Sequence, residues 1–304
     1  MKMKRISIVF LFSFLALQLS GCKEQKSDFD SLTDSEKLEA LDIRIERHPK
    51  DDEALSLRAS VLFNLGRTNE ALVDINKAVE LQPSNVDYRL QQADIQFATG
   101  NVETCYKSLA EAERLAPESN EVQLKMGEVM FYSRDYDRAL KCLSNVTARE
   151  PDNQTALFMK GFIYKEKGDT ASAVTLLRRV CDLYPDYEPA FEELGILYST
   201  QNNPLAAEYL GTAISLQPHN TNAIYALAMF HQQAGNMDEA ERLYHQLLDI
   251  NPNSADAWHN LGYIELTFYS DYPTAIAYFD SALAADPSHD AAMHNRQLTE
   301  EMLK

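Results

Sequence analysis

The 304-residue chain predicts an all-α repeat protein, a solenoid of about seven helix–turn–helix units with a capping helix at each end. Three observations predict it. Proline returns at Pro49, Pro83, Pro117, Pro151, Pro185, Pro218, Pro252 and Pro287, at intervals of 33 to 35 residues. Each interval holds two runs in which apolar residues recur three and four apart, the period of a helix with one buried face. Nowhere do apolar and polar residues alternate as a half-buried strand requires.

The elements follow in order. In segment 33–49, Thr33 and Glu36 are spaced as a capping box that opens a short helix over the first repeat. Residues 50–287 hold the seven repeats. In the stretch ending at Pro83, one apolar run leads to Gly66 and a second begins near Glu70, so glycine makes the inner turn and proline marks the outer one. Pro189, Pro204 and Pro273 stand off the beat, each where a helix begins, and there a missing N–H costs nothing. Residues 288–304 read as one amphipathic helix whose polar side closes the stack.

On these residues the chain resembles the tetratricopeptide repeat (TPR) family. The last interval carries Trp258, Leu261, Gly262, Ala275, Phe279, Ala282 and Pro287, and the fifth carries Phe191, Leu194, Gly195, Tyr198, Ala206, Leu210, Ala213 and Pro218. The small residue expected where paired helices cross is Ala71, Cys105, Ala139, Ala173, Ala206, Ala240 or Ala275. Arg58, Gln92 and Lys160 replace the leucine of the Leu-Gly step, and Arg134 replaces the mid-repeat glycine. These departures loosen the resemblance in the first four repeats without shifting its phase. The resemblance implies a right-handed α-solenoid whose first helices line a concave groove for protein or peptide ligands.

The N-terminus speaks to address. A basic MKMKR, an apolar run through Ser20 and then Gly21-Cys22 predict a processed export signal over residues 1–21. The ending resembles the lipobox of bacterial lipoproteins, which implies a lipidated Cys22, palmitate among its acyl chains, followed by a polar tether over 22–32. An ordinary signal peptide with an incidental cysteine is the alternative. Lys23 after Cys22 points to an outer-membrane anchor facing the periplasm. Cys105, Cys142 and Cys181 fall in second helices and read as small packing residues.

Formal net charge is −18, and removing Lys2, Lys4 and Arg5 with the signal takes it to −21. Such a surface repels phosphate backbones, so no nucleic-acid partner is expected, and a basic, apolar protein or peptide is favoured. No catalytic motif appears, so the chain reads as a non-enzyme. The histidines show no metal-ligand spacing, and neither a metal nor a cofactor is expected.

Transferred residue by residue, the family's groove row near the end of each first helix is Phe63, Phe97, Phe131, Lys165, Ser199, Gln232 and Leu266. Neighbouring positions add Leu90, Leu124, Tyr132, Phe158 and Phe162, rimmed by Glu53, Asp87, Asp94, Glu121 and Glu128. The second half contributes Glu192, Ile196, Tyr225, Met229, Gln233, His259 and Tyr263. Either the phenylalanines offer an apolar binding ladder, each ring worth roughly 1.5–3 kcal/mol if buried by a ligand, or they pack between adjacent first helices. A basic clamp for acidic peptide tails is not expected, because Lys165 stands nearly alone among acids. The resulting expectation is a lipid-anchored envelope scaffold, similar to lipoproteins of this family that assist envelope assembly, pilus secretin assembly or cell-wall hydrolase recruitment. The alternative is a surface-displayed lipoprotein capturing peptide or glycan.

Overall fold

The computed structural model describes residues 29–304; the predicted signal, Cys22 and most of the tether lie outside them. Among the described residues there are sixteen α-helices and no strand, an all-α repeat solenoid. They fall into two compact units, one ending at Leu115 and one running Ala116–Lys304. The first holds α1 (Asp34–Arg47), α2 (Asp52–Asn64), α3 (Thr68–Leu81), α4 (Val86–Ala98) and α5 (Val102–Leu115). The second holds α6 (Asn120–Tyr132), α7 (Tyr136–Arg149), α8 (Gln154–Glu166), α9 (Thr170–Leu183), α10 (Glu188–Thr200) and α11 (Leu205–Leu216). It continues through α12 (Thr221–Gln233), α13 (Met237–Ile250), α14 (Ala255–Ile264), α15 (Tyr272–Ala285) and α16 (Asp290–Met302).

Proline acts in these repeats through its neighbours. The residue before each beat proline is pushed out of the α region by the pyrrolidine ring. Gln82, Glu150, Tyr184, Gln217 and Asn251 accordingly lie near φ −130° with ψ between 73° and 88°, ending the second helices. Two residues beyond the proline comes the N-cap of the next first helix. Asp51, Asn85, Ser119, Asn153 and Asn220 each accept the backbone N–H three residues on, satisfying a donor that the helix itself leaves orphaned. The spacing was on view in the sequence as Pro-x-Asn, Pro-x-Asp or Pro-x-Ser.

The inner turn needs one left-handed residue. Gly66, Gly100, Gly168 and Gly235 supply it at φ 74° to 82°, and Arg134, Asn202 and Ser270 adopt it at 52° to 58° despite carrying a Cβ. All seven hold equivalent places in the repeat. The capping box predicted at Thr33 forms as expected, with Thr33 N–H donating to Glu36 Oε2 at 2.8 Å and Glu36 N–H donating back to Thr33 Oγ1 at 3.4 Å.

Helix pairs cross at the predicted small residues, all fully buried. The three departures from Leu-Gly are polar groups with polar partners on a neighbouring second helix. Arg58 makes a two-pronged bond to Asp74 at 2.7 Å, and Ser108 Oγ lies 2.9 Å from Gln92 Oε1. Lys160 Nζ donates to Thr147 Oγ1 at 3.2 Å, and burial pulls its pKa down. The repeat phase is kept because each substitution brings its own partner.

Candidate functional site

Within the second unit, successive first helices α6, α8, α10 and α12 touch one another directly, so their facing side chains form one continuous row. The row begins with aromatics. Phe131 meets Phe162 edge-on at 5.5 Å between centroids, Tyr132 meets Phe131 at 5.5 Å, and Phe158 meets Phe162 at 6.3 Å and Tyr187 at 5.2 Å. Edge-to-face geometry is what the ring quadrupoles prefer. Phe131 is half-buried, so it packs between first helices and also keeps part of its surface. Tyr132 is 42 % exposed, and its phenol is pushed upward by burial of the remainder and by Glu128.

Lys165 follows, its ammonium 4.4 Å from the Phe162 centroid and paired with Glu193 of α10. Its charge is therefore already met. Burial pushes the Glu193 carboxyl up against the opposing pull of Lys165. Further along, Asn220 Nδ2 donates to Glu188 Oε1 at 2.6 Å and Glu192 Oε2 at 2.9 Å, one amide bridging two carboxylates. Burial raises Glu188 as well, while the Asn220 bond opposes the shift. Tyr187, beside them, is pushed up to about 12 by burial and by Glu188.

The far end is a polar web. Asn260 Nδ2 donates to Tyr225 Oη at 3.2 Å and Tyr244 Oη at 3.1 Å, and Tyr244 Oη donates to Gln232 Oε1 at 2.6 Å. His259 stacks on His289 at 5.0 Å and accepts from Asn295 Nδ2 at 3.0 Å through Nε2. Its Nδ1 faces Asn260 Oδ1 at 3.2 Å, which fixes the neutral Nδ1–H tautomer. Burial lowers the His259 pKa.

Several predicted residues sit elsewhere than a ligand could reach. Leu90 and Phe158 are each 4 % exposed and belong to the core, because the α4 and α8 faces that carry them turn toward the packed neighbours. Leu266 is buried too, against Phe279 and Ala282. Ile196, Tyr225 and Met229 are partly buried against the core of the fifth to seventh repeats. In the first unit, Phe63 is half-buried against Leu55, Ala59 and Leu62, Phe97 is half-buried, and Asp87 is exposed with Asp94 half-buried. Glu53 is held by Arg44 at 2.7 Å rather than standing open. In the second unit, Glu121 is exposed, and Leu124 and Glu128 are half-buried. Sequence reasoning missed Glu188, Glu193, Asn220 and Asn295. Asn220 alone carried a signal, its place two residues after Pro218.

This lining offers aromatic faces and carboxylates. It can stack, bury and attract cationic or apolar groups.

Three family models, each described as tetratricopeptide repeat, match residues 52–85, 124–188 and 197–262. No curated protein sequence matches the chain. Among solved structures, PilW, a widely conserved type IV pilus biogenesis factor, superposes with a TM-score of 0.63 at 19% identity over 69% of this chain and 98% of its own. The pilF protein of Pseudomonas aeruginosa gives 0.60 at 18% identity over 70% of this chain and 96% of its own. A tetratricopeptide repeat protein from Parabacteroides merdae gives 0.59 at 16% identity over 82% and 98%. The matched segments together take in more than half of the chain and include the buried crossings at Ala71, Ala139, Ala173, Ala206 and Ala240, and on that agreement the chain belongs to the tetratricopeptide repeat family.

Proposed function

We propose that this chain is a non-catalytic scaffold of the bacterial envelope, anchored by a lipidated Cys22 and recruiting a partner protein through the row of first-helix side chains. The observation that carries the reading is the cluster of Tyr132, Phe131 and Phe162 on adjacent helices, with Tyr132 exposed and Glu128 acting on its phenol. Half-exposed aromatics on rigid helices are the side chains that dominate interface energies, and surrounding carboxylates favour encounter with a basic partner. The part that PilW plays in type IV pilus biogenesis lends support to an assembly task at the outer membrane facing the periplasm.

The test compares partner capture by the lipidated wild type with capture by Tyr132→Ala and by the triple change Phe63→Ala, Phe97→Ala and Phe131→Ala. Folding is checked by circular dichroism, since the phenylalanines also pack. Loss of partners from folded variants supports the reading, and unchanged recovery removes these aromatics from the site. Fatty-acid labelling that persists in Cys22→Ser would overturn the anchor. Shaving of intact cells by protease reports the alternative, display on the outer surface to capture peptide or glycan.

A further inference from the structure

The seventh repeat is one residue longer than its neighbours, and the extra residue lies at the end of its first helix. In the other repeats the first residue after the left-handed position bonds back to the carbonyl five residues earlier, as Arg67 does to Leu62 and Asn236 to His231. Asp271 reaches back six, to Glu265, across a π turn spanning Glu265–Tyr269. Such insertions commonly mark a function, since a widened turn costs helix geometry and persists where it is used.

What the widened turn does here is present two aromatics. Phe268 is 56 % exposed and Tyr269 43 %, and their rings meet edge-on at 5.0 Å. The equivalent pairs elsewhere are Asn64-Leu65, Ala98-Thr99, Tyr132-Ser133, Glu166-Lys167, Thr200-Gln201 and Gln233-Ala234, none of them doubly aromatic. Around this step stand uncompensated acids. Tyr269 Oη donates to Asp238 Oδ1 at 3.1 Å, and Glu241 Oε1 is buried without a hydrogen-bond partner. Burial and Asp238 push Glu241 up against the opposing hydrogen bond of Tyr269 to its carboxyl, and burial and Glu241 push Glu265 up. Among the described residues no lysine or arginine pairs with Asp238, Glu241 or Glu265. Arg242 beside them is turned to Glu239 at 2.6 Å.

We propose that the Phe268–Tyr269 step is a docking surface for an arginine-bearing segment of a partner protein, its guanidinium stacked on an aromatic face and its N–H fork directed at the neighbouring carboxylates. Charge complementarity selects this occupant. A guanidinium is planar and weakly hydrated, so it stacks on rings and pairs with carboxylates at once, where a lysine ammonium does only the second well. A second copy of the chain would bring more acid to a surface that already lacks cations. The site is separate from the row containing Tyr132 and does not depend on the reading given for that row.

Fluorescence anisotropy of a labelled Arg-Gly repeat peptide, titrated with the full chain at low salt, tests it. The expected result is saturable binding that weakens at least tenfold in Phe268→Ser/Tyr269→Ser and in Glu241→Gln/Glu265→Gln. It should change less than twofold in the charge-matched control Glu46→Gln/Glu118→Gln. A Lys-Gly peptide should bind several-fold more weakly. Binding that is absent, that falls equally in the control, or that is equal for lysine and arginine overturns the proposal. So does a dimer, seen by sedimentation, that Phe268→Ser/Tyr269→Ser dissolves, because the occupant is then a second copy.

Discussion

A Cβ placed on Gly195 would lie 2.6 Å from Leu210 Cγ and 2.9 Å from the Leu210 backbone nitrogen, so the helices of the fifth repeat meet with no room for a methyl group. Gly195→Ala gains up to about 1 kcal/mol of helix propensity. Overpacking costs about 1–3 kcal/mol, and the backbone atom cannot rotate aside. The expected net result is destabilisation, read as a lower urea midpoint. The same substitution at Gly211, where nothing lies within 4 Å, should instead be neutral or stabilising.

Arg134 occupies the left-handed turn position at φ 58° that glycine fills in four other repeats. An L residue there pays about 1–2 kcal/mol, while glycine adds unfolded-state entropy worth about 0.5–1 kcal/mol. Arg134→Gly should therefore raise the melting temperature modestly. Arg134→Val should lower it, since a β-branched residue is the worst fit to positive φ.

Arg58 holds the Asp74 carboxylate, which is 4 % exposed, through two bonds at 2.7 Å. Arg58→Leu restores the residue type common in this family and still should destabilise by about 2–4 kcal/mol, because it strands a buried charge. Arg58→Leu/Asp74→Leu should recover most of that loss. A double mutant as unstable as the single would show that the pair's geometry, not its charge, matters.

Burial lowers the His259 pKa, so the unfolded chain takes up the proton first. Stability should fall as pH drops through about 6.5, the ordinary histidine value. The raised carboxyls of Glu188 and Glu193 act oppositely, since their folded forms bind protons first as pH falls toward their range. Between pH 7.5 and 6, above the ordinary carboxylate range, the histidine effect should dominate. His259→Gln should flatten the melting temperature over that interval, and an unchanged slope would assign it to other groups.

Helix order, repeat phase, inner turns and buried crossings were determined by the sequence alone, because each depends on residues within one turn or one repeat. Pro83 restrains Gln82, Gly66 closes its turn, and Ala173 and Ala240 leave space for the partner helix whatever lies beyond. The 35-residue interval before Pro287 was visible too, but not where its extra residue went. Only the tertiary structure placed it in the π turn that turns Phe268 and Tyr269 outward.

The lining was decided the same way. Whether Phe131 packs or presents itself depends on Phe162, and whether Lys165 is available depends on Glu193, 28 residues away. Leu90 and Phe158 share the composition of a groove and the burial of a core. A repeat pattern assigns each side chain a face of its own helix. What lies opposite that face is set by another repeat's side chains, and packing, charge pairing and exposure follow from that neighbour.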